Sequence, residues 1–275
     1  MLTIAQISDL HITSDKDPLN QARNEQRLRA VFRAIHALRP RPIAIVASGD
    51  LVDRGEPEEY RELRKILADA QIAVHLGVGN HDARGPFRAA FPKTPVDDNG
   101  FVQYSADLGG VRLIMCDTLE EGSDQGAFCE TRANWLKREL DRHRDEPTIV
   151  ALHHPPILSG IQWMDPDPEA AWIERLAETL RGCPQVRAVI AGHVHRGFHG
   201  AFAGHIVSVS PATSIQLTLD LTAVNRRVPD GREILLEEPP GYSLLTWDKG
   251  RLTTHVCVAG DYPTAVTYDV PFVKP

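Results

Sequence analysis

The chain has 275 residues, of which 42% are hydrophobic and 24% charged, and it carries a formal net charge of −7. Those proportions lie near the averages of folded globular proteins and exclude a fibre or a disordered chain; the acidic balance argues against a broad basic grip on nucleic acid and favours a small-molecule substrate. No apolar run approaches the roughly 18 residues that span a bilayer, and Met1 leads straight into a strand-like segment, so no membrane association and a cytoplasmic location are expected.

Along the chain, short apolar runs alternate with stretches of helical period, the pattern of βα units around a buried sheet. Strands are predicted at Leu2 to Ile7, Ile43 to Ala47, Ile72 to Val78, Val111 to Cys116, Thr148 to Leu152, Val186 to Ala191 and His205 to Val209. Between them Leu28, Val31, Phe32, Ile35 and Leu38 recur at helical spacing, as do Leu63, Ile66, Leu67 and Ala70, and then Trp172, Ile173, Leu176 and Leu180. After Pro211 the alternation fails. Thr213 to Asp230 reads as polar and β-like, the stretch Glu237 to Gly241 breaks the chain, and Tyr242 to Val258 resembles a hairpin around Asp248-Lys249-Gly250. Residues 1–211 therefore read as an α/β core, and residues 212–275 as a β appendage that completes a sheet, caps the site or forms a subunit contact. Cys116, Cys129, Cys183 and Cys257 show no metal or redox spacing and are expected to be reduced.

The chemistry gathers where the strands end. Asp9 and His11 follow the first strand, Asp50 follows Ser48-Gly49, Asn80 and His81 follow Gly79, His153 follows the Thr148 strand, and His193 and His195 follow Gly192. In open α/β sheets, ligands collect beyond the carboxyl ends of strands, so residues far apart in sequence can converge there. Imidazole and carboxylate together suit iron, manganese, zinc or cobalt, and no thiolate calls for a softer site. Asp-x-His at a strand end sends both side chains to one side, as period-two alternation requires, Gly192-His193-Val194-His195 repeats that geometry, and the glycines at 49, 79 and 192 let the backbone turn close to bound ions.

Asp9-Leu10-His11, Gly49-Asp50-Leu51-Val52-Asp53, Gly79-Asn80-His81-Asp82, His153-His154-Pro155 and Gly192-His193-Val194-His195 resemble, in order, the five signature blocks of calcineurin-like metallophosphoesterases. Within that superfamily the chain looks most like class III cyclic nucleotide phosphodiesterases and bacterial glycerophosphodiesterases. The resemblance implies a four-layer α/β/β/α sandwich of two mixed sheets flanked by helices. It also implies two metal ions, iron and manganese with zinc or cobalt as alternatives. Asp9, His11, Asp50 and His195 would hold one ion, and Asp50, Asn80, His153 and His193 the other, with Asp50 bridging. A hydroxide bridging the ions would attack the phosphorus directly, and His81 would contact the phosphate or protonate the leaving oxygen.

Other residues keep two readings. Asp53 and Asp82 are candidates to orient ligand histidines or His81, or else cap helices; His154 reads as a supporting or packing residue. Trp163, with Met164, offers either an apolar wall for the substrate or a core anchor. Arg54, Arg84 and Arg196 follow three of the blocks, and one of them could reach the pocket. The expected function is hydrolysis of a small phosphodiester, because two dications less two carboxylates and one hydroxide leave about one positive charge for a monoanion. A phosphomonoesterase or nuclease on the same site is the enzymatic alternative, and a binding scaffold on the same fold the non-enzymatic one. A homo-oligomer is compatible with the appendage.

Overall fold

The computed structural model describes residues 1–14, 16–225 and 227–268. Two mixed sheets pack face to face with helices on both outer surfaces. The first sheet has its centre in β1 (Leu2–Ile7), β2 (Ala44–Ala47) and β3 (Ala73–Leu76), which run parallel. The second has β5 (Arg112–Met115), β6 (Thr148–Ala151), β7 (Val186–Ala191) and β9 (His205–Val209) in parallel, edged by the antiparallel β4 (Tyr104–Asp107) and β8 (Phe198–Phe202).

Period-two alternation explains the layering, because the central strands are apolar on both faces. Ala5, Ile7, Ile45 and Ala47 face an outer core shared with Leu28, Val31, Phe32 and Ile35 of α1 (Pro18–Ala37) and Tyr60 and Leu63 of α2 (Pro57–Leu67). Their neighbours Ile4, Ala44 and Val46 turn inward to meet Leu113, Met115, Ile149, Ala151, Ala188 and Ile190 of the second sheet. The alternate set Ile114, Val150, Val189 and Val207 packs on Leu136 of α4 (Glu130–Arg142) and Leu176 of α5 (Ala171–Leu180). A short helix, α3 (Arg84–Ala90), follows β3 and buries Phe87 against Tyr60.

The seven predicted strands all occur, with β2, β3, β5 and β6 shorter than predicted by one to three residues. The edge strands β4 and β8 carry no apolar run: their residues are mostly half-exposed or exposed. Among the described residues of the β-like stretch Thr213 to Asp230 only Gln216–Leu217 (β10) is strand, paired with Leu235–Leu236 (β11). The predicted hairpin is β12 (Gly241–Asp248) and β13 (Arg251–Val258); Lys249 and Gly250 turn with φ of 48° and 82°, the left-handed pair that a two-residue hairpin loop needs. β12 pairs antiparallel with β1 and so extends the first sheet. All four cysteines are free thiols.

Candidate metal centre

The parallel strands of both sheets point their carboxyl ends at one place, and the turns leaving β1, β2, β3, β6 and β7 deliver the predicted residues to it. These turns are not continuations of strands. Asp9, His11, Asp50, His193 and His195 all have positive φ, between 44° and 73°. The period-two argument for Asp-x-His therefore does not apply: the backbone has left the extended region, and the turn itself aims both side chains inward. Left-handed backbone costs a non-glycine residue about 1–2 kcal/mol, so five such residues at one spot need strong compensation. Part of it comes from the neighbouring turns, since Asp9 N donates to Gly49 O and both Leu10 N and His11 N donate to Asp50 O. Gly49, at φ 108°, Gly79, where a Cβ would fall 2.6 Å from Asp50 N, and Gly192, whose absent side chain leaves room for Ser8 Oγ, are places in the site where only glycine fits.

The imidazoles are held by their Nδ1 atoms. Those of His195, His153 and His81 face the carbonyls of Ile215 at 2.8 Å, Ser48 at 3.0 Å and Asp53 at 2.7 Å. A carbonyl only accepts, so each Nδ1 carries the proton and each neutral ring turns an Nε2 lone pair away from its anchor. His11 places Nδ1 3.3 Å from Asp53 Oδ1. Its Nε2 stands 3.0 Å from Nε2 of His195. Asp9 Oδ1 lies 3.6 Å from His195 Nε2 and accepts from His193 N at 3.0 Å. Asp50 Oδ2 sits between two histidines, 3.6 Å from His11 Nε2 and 3.2 Å from His153 Nε2.

On the far side of Asp50, Asn80 Oδ1 is 3.2 Å from His153 Nε2 and 3.0 Å from His193 Nδ1. Acceptor atoms thus converge on two adjoining points, with no lysine or arginine among them. Carboxylates and imidazole lone pairs repel one another in such an arrangement unless a cation lies between them, and this donor set suits divalent transition ions. Asp9, His11, Asp50 and His195 have ligand atoms within 4.8 Å of one another, as do His153, His154 and His193.

Electrostatics follow from burial. The cost of burying the Asp50 carboxylate pushes its pKa up, yet the opposing pull of His153, His11 and His81 prevails and holds it well below the usual range. Burial pushes His153 down, but Asp50 and Asp9 raise it overall to about 9. His193 falls to about 3, first through burial and then through the neighbouring His153.

The remaining candidates separate. His154 lies beside His153 and His193: its Nδ1 bonds Thr118 Oγ1 at 2.8 Å, and its buried Nε2 has no hydrogen-bond partner. Asp53 faces His11, as one of its two readings has it. Asp82 does not orient a histidine or cap a helix. Its oxygens accept from Leu51 N at 3.2 Å, Gly79 N at 2.9 Å and Tyr60 Oη at 3.0 Å, pinning the Asp50 turn to the Asn80 turn. Burial, then the nearby Asp50 charge, lift its pKa to about 7. Arg196 does not reach the pocket. Its guanidinium donates to Leu217 O and pairs with Glu238 at 2.9 and 3.2 Å. Arg84 is likewise held by Asp117 and Leu119 O, and Arg54 is 59% exposed, 3.6 Å from Asp53.

A cleft of about 350 Å³ opens beside His11, His81 and His195. Trp163 and Met164 line it while also packing against the second helical core, so the two readings of Trp163 are one arrangement. Facing residues come from α1 (Asn20, Arg23 and Asn24) and from the segment after β9 (Ile215, Leu217, Ile234 and Leu235). Neither group stood out in the sequence. Backbone anchors such as Ser48 O and Ile215 O leave no residue-type signal, and the β10–β11 pairing has only two residues per strand.

The architecture and the converging donors define a metal-dependent hydrolase of the two-sheet type. A solved structure of similar fold is a dimetal phosphatase from Danio rerio, with TM-score 0.62 at 15% identity over 94% of this chain and 99% of that one. The chain belongs to the calcineurin-like phosphoesterase family, whose model matches residues 2–197. Among its relatives, a probable cyclic nucleotide phosphodiesterase of Rhodococcus erythropolis is 34% identical, over 84% of this chain and 77% of the relative. A probable glycerophosphodiester phosphodiesterase of Arcobacter nitrofigilis is 29% identical over 95% and 94%. A cAMP/cGMP dual specificity phosphodiesterase of Mycobacterium tuberculosis is 34% identical over 82% and 72%. Among the described residues no helix is long and apolar enough to cross a membrane.

Proposed function

We propose that this chain hydrolyses small phosphodiesters, of cyclic nucleotide or glycerophosphodiester type, at a binuclear centre. Asp9, His11, Asp50 and His195 hold one ion and Asp50, Asn80, His153 and His193 the other, iron and manganese being the favoured pair and zinc or cobalt alternatives. The observation that carries this reading is Asp50 Oδ2 lying between His11 Nε2 and His153 Nε2, with a histidine-rich donor set on either side. Two bound ions supply Lewis acidity, activating water and neutralising phosphoryl charge.

The chain's own groups do the rest. Asp53 holds the His11 ring, and the Ser48 and Ile215 carbonyls fix His153 and His195 in the tautomer that offers Nε2. His81, with Nδ1 bound to Asp53 O, has Nε2 left to meet the substrate and, as imidazolium, to give the leaving alkoxide its proton. The walls of Trp163, Met164, Ile234 and Leu235 suit an apolar or aromatic alcohol, and Asn20, Arg23 and Asn24 offer polar contacts. Preference for a monoanionic diester is supported by the arginines, since Arg84 and Arg196 are spent on Asp117 and Glu238, and Arg23, which lines the cleft, is paired with Glu237. The proposal extends to a cytoplasmic location and to self-association, the edge strand β13 leaving Val256 and Val258 half-exposed.

The test is a panel of cyclic nucleotide, glycerophosphodiester, aryl diester and aryl monoester, assayed with defined metals. Diesters should lead in kcat/KM. A tenfold preference for the matched monoester would overturn the diester assignment, and full activity after exhaustive chelation would overturn the metal centre.

A further inference from the structure

The segment between β9 and β12 does more than line the cleft. Its first residues follow the metal-site turns by backbone hydrogen bonds: Thr213 N to Ser8 O at 2.9 Å, Ser214 N to Asp9 O at 3.1 Å, and Leu217 N to His195 O at 3.2 Å. Ile215 supplies the carbonyl that fixes the His195 ring. β10 then pairs with β11, so the segment returns as a strap ending at Glu237 and Glu238. Both ends are gripped from below. Arg27 donates to Ser214 O at 3.0 Å and to Glu238 O at 2.7 Å. Arg196, immediately after His195, donates through Nε to Leu217 O at 2.7 Å while its other nitrogens pair with both oxygens of the Glu238 carboxylate.

We propose that Glu238 and Arg196 are positioning residues for the metal centre: their ion pair clamps the strap so that the Ile215 carbonyl holds His195 with Nε2 aimed at the ion position it shares with Asp9, His11 and Asp50. The inference rests on the reading of His195 as a ligand. A forked guanidinium–carboxylate pair fixes direction as well as distance, which a lone exposed pair would not. It acts on one side of the centre, on the His195 ring and the Asp9 turn. His153 is anchored instead by Ser48 O at the end of β2, outside the strap. Loosening the strap therefore frees His195 and leaves the Asn80 side of the centre unchanged.

The experiment is a Mn²⁺ titration of metal-free protein by calorimetry in two backgrounds. Asn80→Ala weakens the second position and isolates the His195 position; His195→Ala does the reverse. Partners one step removed from a ligand typically change metal affinity about 10–100-fold, and Glu238 acts through one further contact. Glu238→Gln is expected to weaken Mn²⁺ binding about 3- to 30-fold in the Asn80→Ala background and to leave it unchanged in the His195→Ala background. Arg196→Gln should show the same split, so the inference does not hang on one variant. Equal weakening in both backgrounds, or none in either, overturns the positioning role. The ligand reading fails separately, if adding His195→Ala to Asn80→Ala leaves Mn²⁺ affinity intact.

Discussion

The two halves of the proposed centre would share Asp50 but are built differently. One gathers two carboxylates, Asp9 and Asp50, with His11 and His195; the other has Asp50 alone, joined by the neutral Asn80 oxygen, His153 and His193. A second carboxylate adds Coulomb attraction for a dication, so the first half should bind its ion at least about tenfold more tightly. Their supports differ as well. His153 is anchored on a strand end in the core, whereas His11 and His195 depend on Asp53 and on the strap carbonyl, and their side chains remain 11% and 12% exposed beside the cleft. The half with stronger charge thus rests on the more adjustable scaffold, beside the cleft.

Breaking what the halves share should have the largest effect. Asp50→Ala removes a donor from both positions, so its loss of kcat should exceed the roughly 10–100-fold typical of outer supports, and both ions should weaken. Asn80→Ala should weaken only the second ion. Metal analysis beside steady-state rates checks the pair; if Asn80→Ala proves the more damaging, the sharing of Asp50 is wrong.

His81 stands next to the first half, with its ring 4.5 Å from His11. His81→Ala should keep both ions and lower turnover by about 10²–10⁴-fold for alkyl leaving groups, with smaller losses for activated aryl esters. Equal losses across leaving groups would reduce its role to binding phosphate.

Asp82 ties the two halves mechanically. Asp82→Ala leaves the Leu51 and Gly79 amides and the Tyr60 hydroxyl without their buried acceptor, and should lower stability by about 3 kcal/mol or more. Denaturant unfolding of the metal-free protein isolates this from ion binding. A change below about 1 kcal/mol, within the range of an ordinary surface substitution, would mean that the turns are held by other contacts.

The smallest effect is expected at the cleft wall. Trp163→Ala should raise KM for aromatic diesters by a few-fold, of the order of 1 kcal/mol, and leave kcat and metal content unchanged. Unchanged kinetics on cyclic nucleotides would remove Trp163 from the substrate's path.

Much of this centre could be read before any fold was known, because a ligand's chemistry is tied to residue type and these residues recur at strand ends. The blocks around Asp9, Asp50, Asn80, His153 and His193 are all brought together. What stayed hidden has physical causes. The aim of Asp9 and His11 comes from left-handed turns, which no alternation pattern encodes. Arg196 looks like a pocket residue in sequence, yet its charge is met by Glu238, 42 positions away. β4 and β8 are short edge strands whose residues are mostly half-exposed or exposed, and the strap anchors His195 through a carbonyl that every residue possesses.

The central claim is that Asp50 joins two ions. Electron paramagnetic resonance of the protein saturated with Mn²⁺ tests it most directly, since a shared carboxylate couples neighbouring manganese spins. Two ions per chain with a spin-coupled signal, lost in Asp50→Ala, is the result expected here. One ion per chain, or two with uncoupled spectra in the wild-type protein, would contradict it.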